Sequence, residues 1–333
     1  MIAARGTPLV ELDSKASEQD QPFGIITADC SSPHEYDDGI AVTPLPSSQE
    51  LYRVQVFSVD TSSLYHDEKV LRRVLARTES LYQNMGTAEE SYHPMLEPDT
   101  IKRMHFVAGK TRRALAISFL VGIVEPPTLE TISFGRVTVG KNYNYKEFGA
   151  KCRYSERMQQ FGRAAALIIG HLQTHESTEE VEDVYKGLIH VPKSASFKRG
   201  ADINQAYMIA ANHLVARQMR DEGRLAIYRT HDVQDNSAVE FKDPRIAHFS
   251  STPGWHTGLG LDAYTRVTSP LRRGEDFVMH GLLRARAEGR LIDNRDTRII
   301  TTAIQRLNQR IMSQLFHGEL QMARDDYLPA AAA

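Results

Sequence analysis

Cysteine is scarce: Cys30 and Cys152 are the only two in 333 residues, and they lie far outside the close spacing of a zinc or redox pair. A disulfide framework is excluded, and the scarcity fits a reducing compartment. No apolar run approaches the roughly 20 residues that cross a bilayer. Met1 to Asp13 also lacks the continuous apolar segment of a secretory leader, so a cytoplasmic protein without membrane attachment is expected. Nor is there a surplus of positive charge. Forty basic residues against 42 acidic ones leave a net charge of −2, so no whole-molecule field draws the chain to nucleic acid, and any polyanion site must be local. What is present is 41% hydrophobic and 25% charged residues, enough for a sizeable core and unlike a disordered or fibrous chain.

Residues 1–20 are polar without helical or strand period and read as a flexible N-terminal arm. Short β-forming runs follow at Phe23 to Ala28 and Gly39 to Val42, and Tyr52, Val54 and Val56 alternate with polar residues in a strand that runs out at Asp60. Leu115 to Val121 and Thr131 to Val139 are two further strand candidates. The period then changes. Ser155 is placed to cap a helix carrying Met158, Phe161, Ala165, Ile168 and Leu172; Ile203 to Val215 mark a second that stops near Gly223; a third runs from about Thr297 to Leu315. Strands first and helices later, with no hydrophilic linker, predict one α+β domain over residues 21–329, a twisted mixed β-sheet surrounded by helices, with residues 330–333 as a disordered tail.

Two segments carry chemistry. The first, Asp29-Cys-Ser-Ser-Pro-His-Glu35-Tyr-Asp37-Asp38, packs four carboxylates into ten residues. Their mutual repulsion is costly unless cations or arginines neutralise it, and a hard divalent ion with oxygen ligands does so most directly. An EF-hand fails, because Pro33 and His34 stand where a ligand and the obligatory glycine belong, so magnesium or manganese is the better candidate. A solvated acidic turn is the bland alternative. The second segment is Tyr264-Thr-Arg-Val-Thr268-Ser269-Pro270-Leu271-Arg272-Arg273-Gly-Glu275-Asp276. Ser269 before Pro270 predicts a helix start whose free amides, with Arg272 and Arg273, make a local anion site. Asp276, four residues beyond Arg272, is placed to hold that guanidinium. An ordinary capped helix with surface charges is its plain alternative.

In this order the two segments resemble the RNB catalytic domain of the RNase II and RNase R family, whose pattern is an Asp, a carboxylate six residues on, then two adjacent aspartates, and later Tyr…Thr-Ser-Pro-(Leu/Ile)-Arg-(Arg/Lys)…Asp. Intermediate pieces keep the family order: Val56-Phe-Ser-Val-Asp60, Arg77-Thr-Glu-Ser-Leu-Tyr82, Met208-Ile-Ala-Ala-Asn212, Ile227-Tyr-Arg-Thr-His231 and Pro253-Gly-Trp-His256-Thr-Gly-Leu-Gly-Leu261. The similarity runs from about Phe23 to Leu283 and implies stepwise hydrolysis of RNA from its 3′ end, releasing nucleoside 5′-monophosphates. It further implies that Asp29, Glu35, Asp37 and Asp38 hold Mg2+ (or Mn2+), with Asp37 and Asp38 catalytic, and that Arg272 contacts the scissile phosphate. Tyr82, Tyr145, Ser269 and Arg273 would meet the RNA.

The sequence also departs from that pattern. Glu35 replaces an aspartate, Gln205 and Ala206 stand where the family carries an acidic pair at the ribose, and the span from His231 to Pro253 is short. About twenty residues before the core and about fifty after it leave no room for the cold-shock and S1 OB-folds that grip RNA in the family, so a minimal stand-alone domain is expected. Its substrate would then be a short single-stranded 3′ end, or a structured RNA such as tRNA, with a protein partner supplying part of the grip. Two alternatives stay open: hydrolysis of another ester at an RNA 3′ terminus, such as that of aminoacyl-tRNA, and a non-catalytic RNA-binding RNB protein. No histidine is assigned to catalysis.

Overall fold

The computed structural model describes residues 24–30, 33–47, 50–83, 91–172, 199–231 and 246–316. The expected arm at 1–20 and the tail at 330–333 lie outside them.

Five strands form the centre: β1 (Ile25–Asp29), β2 (Asp38–Pro44), β3 (Leu51–Val59), and two long ones after an excursion, here numbered β6 (Thr111–Gly122) and β7 (Thr128–Asn144). The short pairs β4 (Leu81–Gln83) with β5 (Ser91–His93) and β8 (Tyr228–Thr230) with β9 (His248–Ser250) stand apart. All five expected strands are present; β2, β6 and β7 are longer than their apolar runs, and β1 starts two residues later than its run. Rather than an open sheet, they close into a barrel in the order β1-β2-β3-β6-β7. Neighbours are antiparallel except at the closing seam, where β1 runs parallel to β7 with Asp29 opposite Asn144. Closure removes the exposed edges of the sheet. The register sets Ile40 beside Val56 and Val56 beside Ile117, three fully buried β-branched residues that pack one strand against the next.

Among the described residues, seven helices pack around this barrel. α1 (Glu68–Arg77) and α2 (Pro98–Met104) interrupt the strands. Asp67 caps α1 by accepting from the amides of Lys69 and Val70. α3 (Tyr145–Tyr154) continues straight from β7 through a capping box in which Asn144 accepts from Glu147 N at 2.8 Å. α4 (Gln159–Leu172) was expected to be capped by Ser155; that residue instead ends α3, and a turn separates the two helices because Met158 N bonds back to Ser155 O. α5 (Gly200–Asp221) stops before Gly223, whose φ of 62° is the left-handed conformation glycine tolerates. α6 (Gly274–Ala287) and α7 (Asn294–Phe316) complete the set.

Two features bring these helices to one end of the barrel. Asp60, at the exit of β3, is buried and receives Arg284 of α6 at 2.8 Å and Arg113 of β6 at 3.0 Å. Burial alone would raise its carboxyl, but Ser62, His280 and Arg284 bring it below the usual range. Secondly, Gly149 of α3 and Gly200 of α5 meet backbone to backbone: a Cβ at Gly200 would run into the carbonyl of Tyr145 and lie 2.8 Å from Gly149 N. Gly200→Ala is expected to lower stability by about 1–3 kcal/mol, read as a fall in the urea midpoint at unchanged m-value.

Candidate active site: a carboxylate cluster closed by one arginine

β1 and β2 are antiparallel neighbours, with Ile26 opposite Ile40, so the exit of β1 and the start of β2 lie at the same end of the barrel. Asp29 and Asp38 are the residues at those two positions. The intervening loop turns Glu35 and Asp37 inward until they are 4% and 3% exposed. A strand–loop–strand segment thereby gathers all four carboxylates. On the far side of Asp38, Asn204 of α5 donates from Nδ2 to Asp38 Oδ1 at 3.4 Å.

The opposite wall is the turn at 269–273. Leu271 N donates to Asp37 Oδ1 at 2.8 Å, and Arg272 Nε lies 3.3 Å from Asp37 Oδ2. Arg272 also donates to Ser269 Oγ at 3.0 Å, yet its side chain keeps one third of its surface open. Two expectations are corrected here. The helix begins at Gly274, four residues later than Pro270 suggested, and residues 270–272 form a turn. One amide expected to await a phosphate, that of Leu271, is taken by Asp37. Nor does Asp276 hold Arg272. It is buried against Arg273 at 3.0 Å and accepts from Ser269 N at 2.8 Å, which commits Arg273, expected to meet RNA, to bracing the turn.

Backbone bonds tie this turn to the tyrosines. Ser80 N donates to Arg272 O and Gly274 N to Thr78 O, so β4 leaves directly from beside Arg272. Tyr82 on β4 donates its hydroxyl to Glu35 Oε1 at 2.7 Å. Its ring lies 5.3 Å from Tyr92 of β5, which in turn stacks on His34 at 4.1 Å and 4°. Tyr145, at the seam where β7 becomes α3, feels Asp29 and Asp38. Burial first, and then those carboxylates, push its hydroxyl well above the usual range.

No family model matches the chain. Exoribonuclease 2 of Sodalis glossinidius is 38% identical over 90 residues, covering 25% of this chain and 14% of that one. The fold matches apo RNase R of Mycoplasma genitalium with a TM-score of 0.68 at 14% identity, over 93% of this chain and 58% of that one. The same enzyme in complex with ribose-methylated single-stranded RNA gives 0.66 at 15%, over the same shares of the two chains. The chain has the fold of these RNase R structures. Each of these relatives is longer, and the chain spans less than two thirds of any of them. Yeast Ssd1, a pseudonuclease, shares the RNB-type fold too, with a TM-score of 0.64 at 12% identity over 90% of this chain and 44% of that one.

The electrostatics of the cluster are out of balance. Burial raises the carboxyl of Asp29 and raises that of Asp37 well above the usual range, in both cases against the pull of Arg272. Burial, followed by repulsion from Asp29, lifts Asp38 to about 7. Arg272 lowers the carboxyls of Asp29, Asp37 and Asp38, but by less than burial raises them. Glu35 Oε2 is buried with no hydrogen-bond partner. An all-oxygen donor set short of positive charge fits a hard divalent cation. The side chains do not stand as a finished cage, since among the described residues no three His, Cys, Asp or Glu side chains are gathered as a metal site. Glu35 and Asp37, both expected as ligands, give oxygens to Tyr82 and to the 269–273 turn.

Sequence reasoning missed Asn204, Tyr92 and the place of His34. Asn204 directly precedes the Gln205-Ala206 pair that drew attention, and Tyr92 lies ten residues beyond Tyr82. His231 and His256, left to packing, do pack: their rings meet at 4.6 Å, and Thr257 N donates to His231 Nδ1.

The raised Asp38 has a measurable consequence. A carboxyl whose folded pKa exceeds its unfolded value stabilises the fold fully below about pH 4, and that stabilisation is lost as pH rises through about 7. In EDTA, the urea midpoint should therefore fall between pH 5 and 8. Asp38→Asn should shrink that fall and raise stability at pH 8 by on the order of 1–2 kcal/mol. Millimolar Mg2+ should restore the wild type at pH 8 and the variant much less. Identical pH profiles for the two proteins would rule out the assigned role of Asp38.

Proposed function

We propose that this domain hydrolyses RNA from its 3′ end in the cytoplasm, as a 3′–5′ exoribonuclease or 3′-end trimming enzyme that releases nucleoside 5′-monophosphates and depends on Mg2+, with Mn2+ suiting the same donors. The observation that carries this reading is the meeting of Asp37 with Leu271 N and Arg272, which sets a buried carboxylate cluster against a partly open guanidinium. Kinship with exoribonucleases supports it.

Asp29, Asp37 and Asp38 would hold the ion, with Glu35 able to offer only Oε2. When bound, such an ion supplies a water nucleophile near neutral pH and neutralises charge on the phosphate. Arg272, with one third of its side chain open, is placed to donate to a non-bridging phosphate oxygen and stabilise the charge that grows there. Ser269 supports it by accepting from its guanidinium. Tyr82, anchored by Glu35, and Tyr145 offer aromatic surface to the terminal nucleotides, a contact that tolerates any base. Asn204, bonded to Asp38, orients that carboxylate.

A second reading, a non-catalytic RNA-binding domain, draws support from the pseudonuclease with the same fold and from the absence of a finished metal cage among the described residues.

Incubation with end-labelled poly(A), tRNA and aminoacyl-tRNA, with Mg2+, Mn2+ or EDTA, distinguishes these readings. Stepwise shortening to mononucleotides that EDTA stops is the expected result. Release of the amino acid alone would instead indicate ester hydrolysis, and binding without products the second reading. Asp37→Asn and Arg272→Ala are each expected to lower kcat about 100-fold or more while RNA affinity changes little. A defect confined to KM would contradict the role given to Arg272.

A further inference from the structure

Where β7 passes into α3, next to the candidate site, the surface holds a groove of about 570 Å3. Its walls include Lys141 and Tyr143 from β7 and Lys151 and Tyr154 from α3. Tyr154 is 82% exposed, far more than an aromatic side chain of this size usually is. Both rings lie near a cation: Lys141 Nζ is 6.0 Å from the centre of Tyr143, and the guanidinium of Arg153 is 5.8 Å from that of Tyr154. Glu147, the one acid in the lining, is occupied in the capping box with Asn144. Between positions 141 and 157 there are five basic residues and two acidic ones, in a chain whose net charge is −2.

The groove adjoins, along β7, the seam that carries Asp29. Tyr143 and Tyr145 flank Asn144, the residue opposite Asp29 across the β1–β7 seam, and Tyr145 already lies within the field of Asp29 and Asp38. We propose that the Lys141–Tyr143–Lys151–Tyr154 groove is a second RNA subsite, which binds single-stranded nucleotides lying 5′ of the 3′ end held at the carboxylates. The inference rests on the proposed function and adds to it the path of the strand. Exposed tyrosine faces stack on bases irrespective of sequence, while the lysines meet the backbone. A duplex, with its bases already stacked and paired, offers no base faces to those rings.

The test measures fluorescence anisotropy with labelled oligoadenylate, a dodecamer and a trimer, in an Asp38→Asn background that keeps the strand intact. Tyr154→Ala is expected to weaken dodecamer binding about tenfold and to leave the trimer unchanged. Lys151→Ala should lower the slope of log K against log salt by about 0.7. Unchanged dodecamer affinity in both variants, with the parent binding RNA, overturns this subsite and leaves the proposed function standing. Equal loss for dodecamer and trimer also overturns it, as does a duplex that binds as well as the single strand. If the parent binds no RNA at all, the proposed function fails, and the subsite with it.

Discussion

Asp37 joins the two halves of this molecule. One carboxylate oxygen takes the amide of Leu271 and the other faces Arg272, so the loop between the first two strands is fixed against the turn that precedes α6. A buried carboxylate needs its lone pairs met and its charge opposed; the turn supplies the Leu271 amide and the nearby Arg272, while Asp37 Oδ2 accepts no hydrogen bond among the described residues. The same turn is held from behind by Asp276 and Arg273, and from the side by its backbone bonds to residues 78–80. Tyr82 and its neighbours therefore inherit their positions from the contact that places Arg272.

The cluster built in this way is underneutralised. Arg272 cannot balance Asp29, Glu35, Asp37 and Asp38, and burial drives three of the four carboxyls upward. A fold that retains such a cost in its interior has a reason outside stability, because replacing these groups with neutral ones would relieve it. A divalent cation would relieve it as well. Close by, the surface changes sign across the β7–α3 junction, from carboxylates around Tyr145 to lysines around Tyr143 and Tyr154. An extended polyanion with a reactive end suits that gradient.

Much of the scaffold was legible from pattern. Alternation in β3, apolar runs in β1 and β2, and the helical period of α4, α5 and α7 follow from which side chains must leave water. α1, α2 and α3 were legible in principle through Asp67, Pro98 and the Asn144–Glu147 box, since capping is a local signal. Ser269-Pro270 shows the limit of such signals. It has every local mark of a helix start, yet the helix waits until Gly274, because Asp37 claims an amide of that turn from far along the chain.

By itself, the order of residues determined that one short segment concentrates four carboxylates, that another pairs two arginines with a Ser-Pro turn, and that any polyanion site must be local. Residue type and spacing set these properties wherever the chain goes. Tertiary structure alone decided that the strands close into a barrel, that Arg272 serves Asp37 while Arg273 serves Asp276, and that Asn204 reaches Asp38. Each of those depends on distances between segments remote in sequence, which become definite only when burial of the core brings them together.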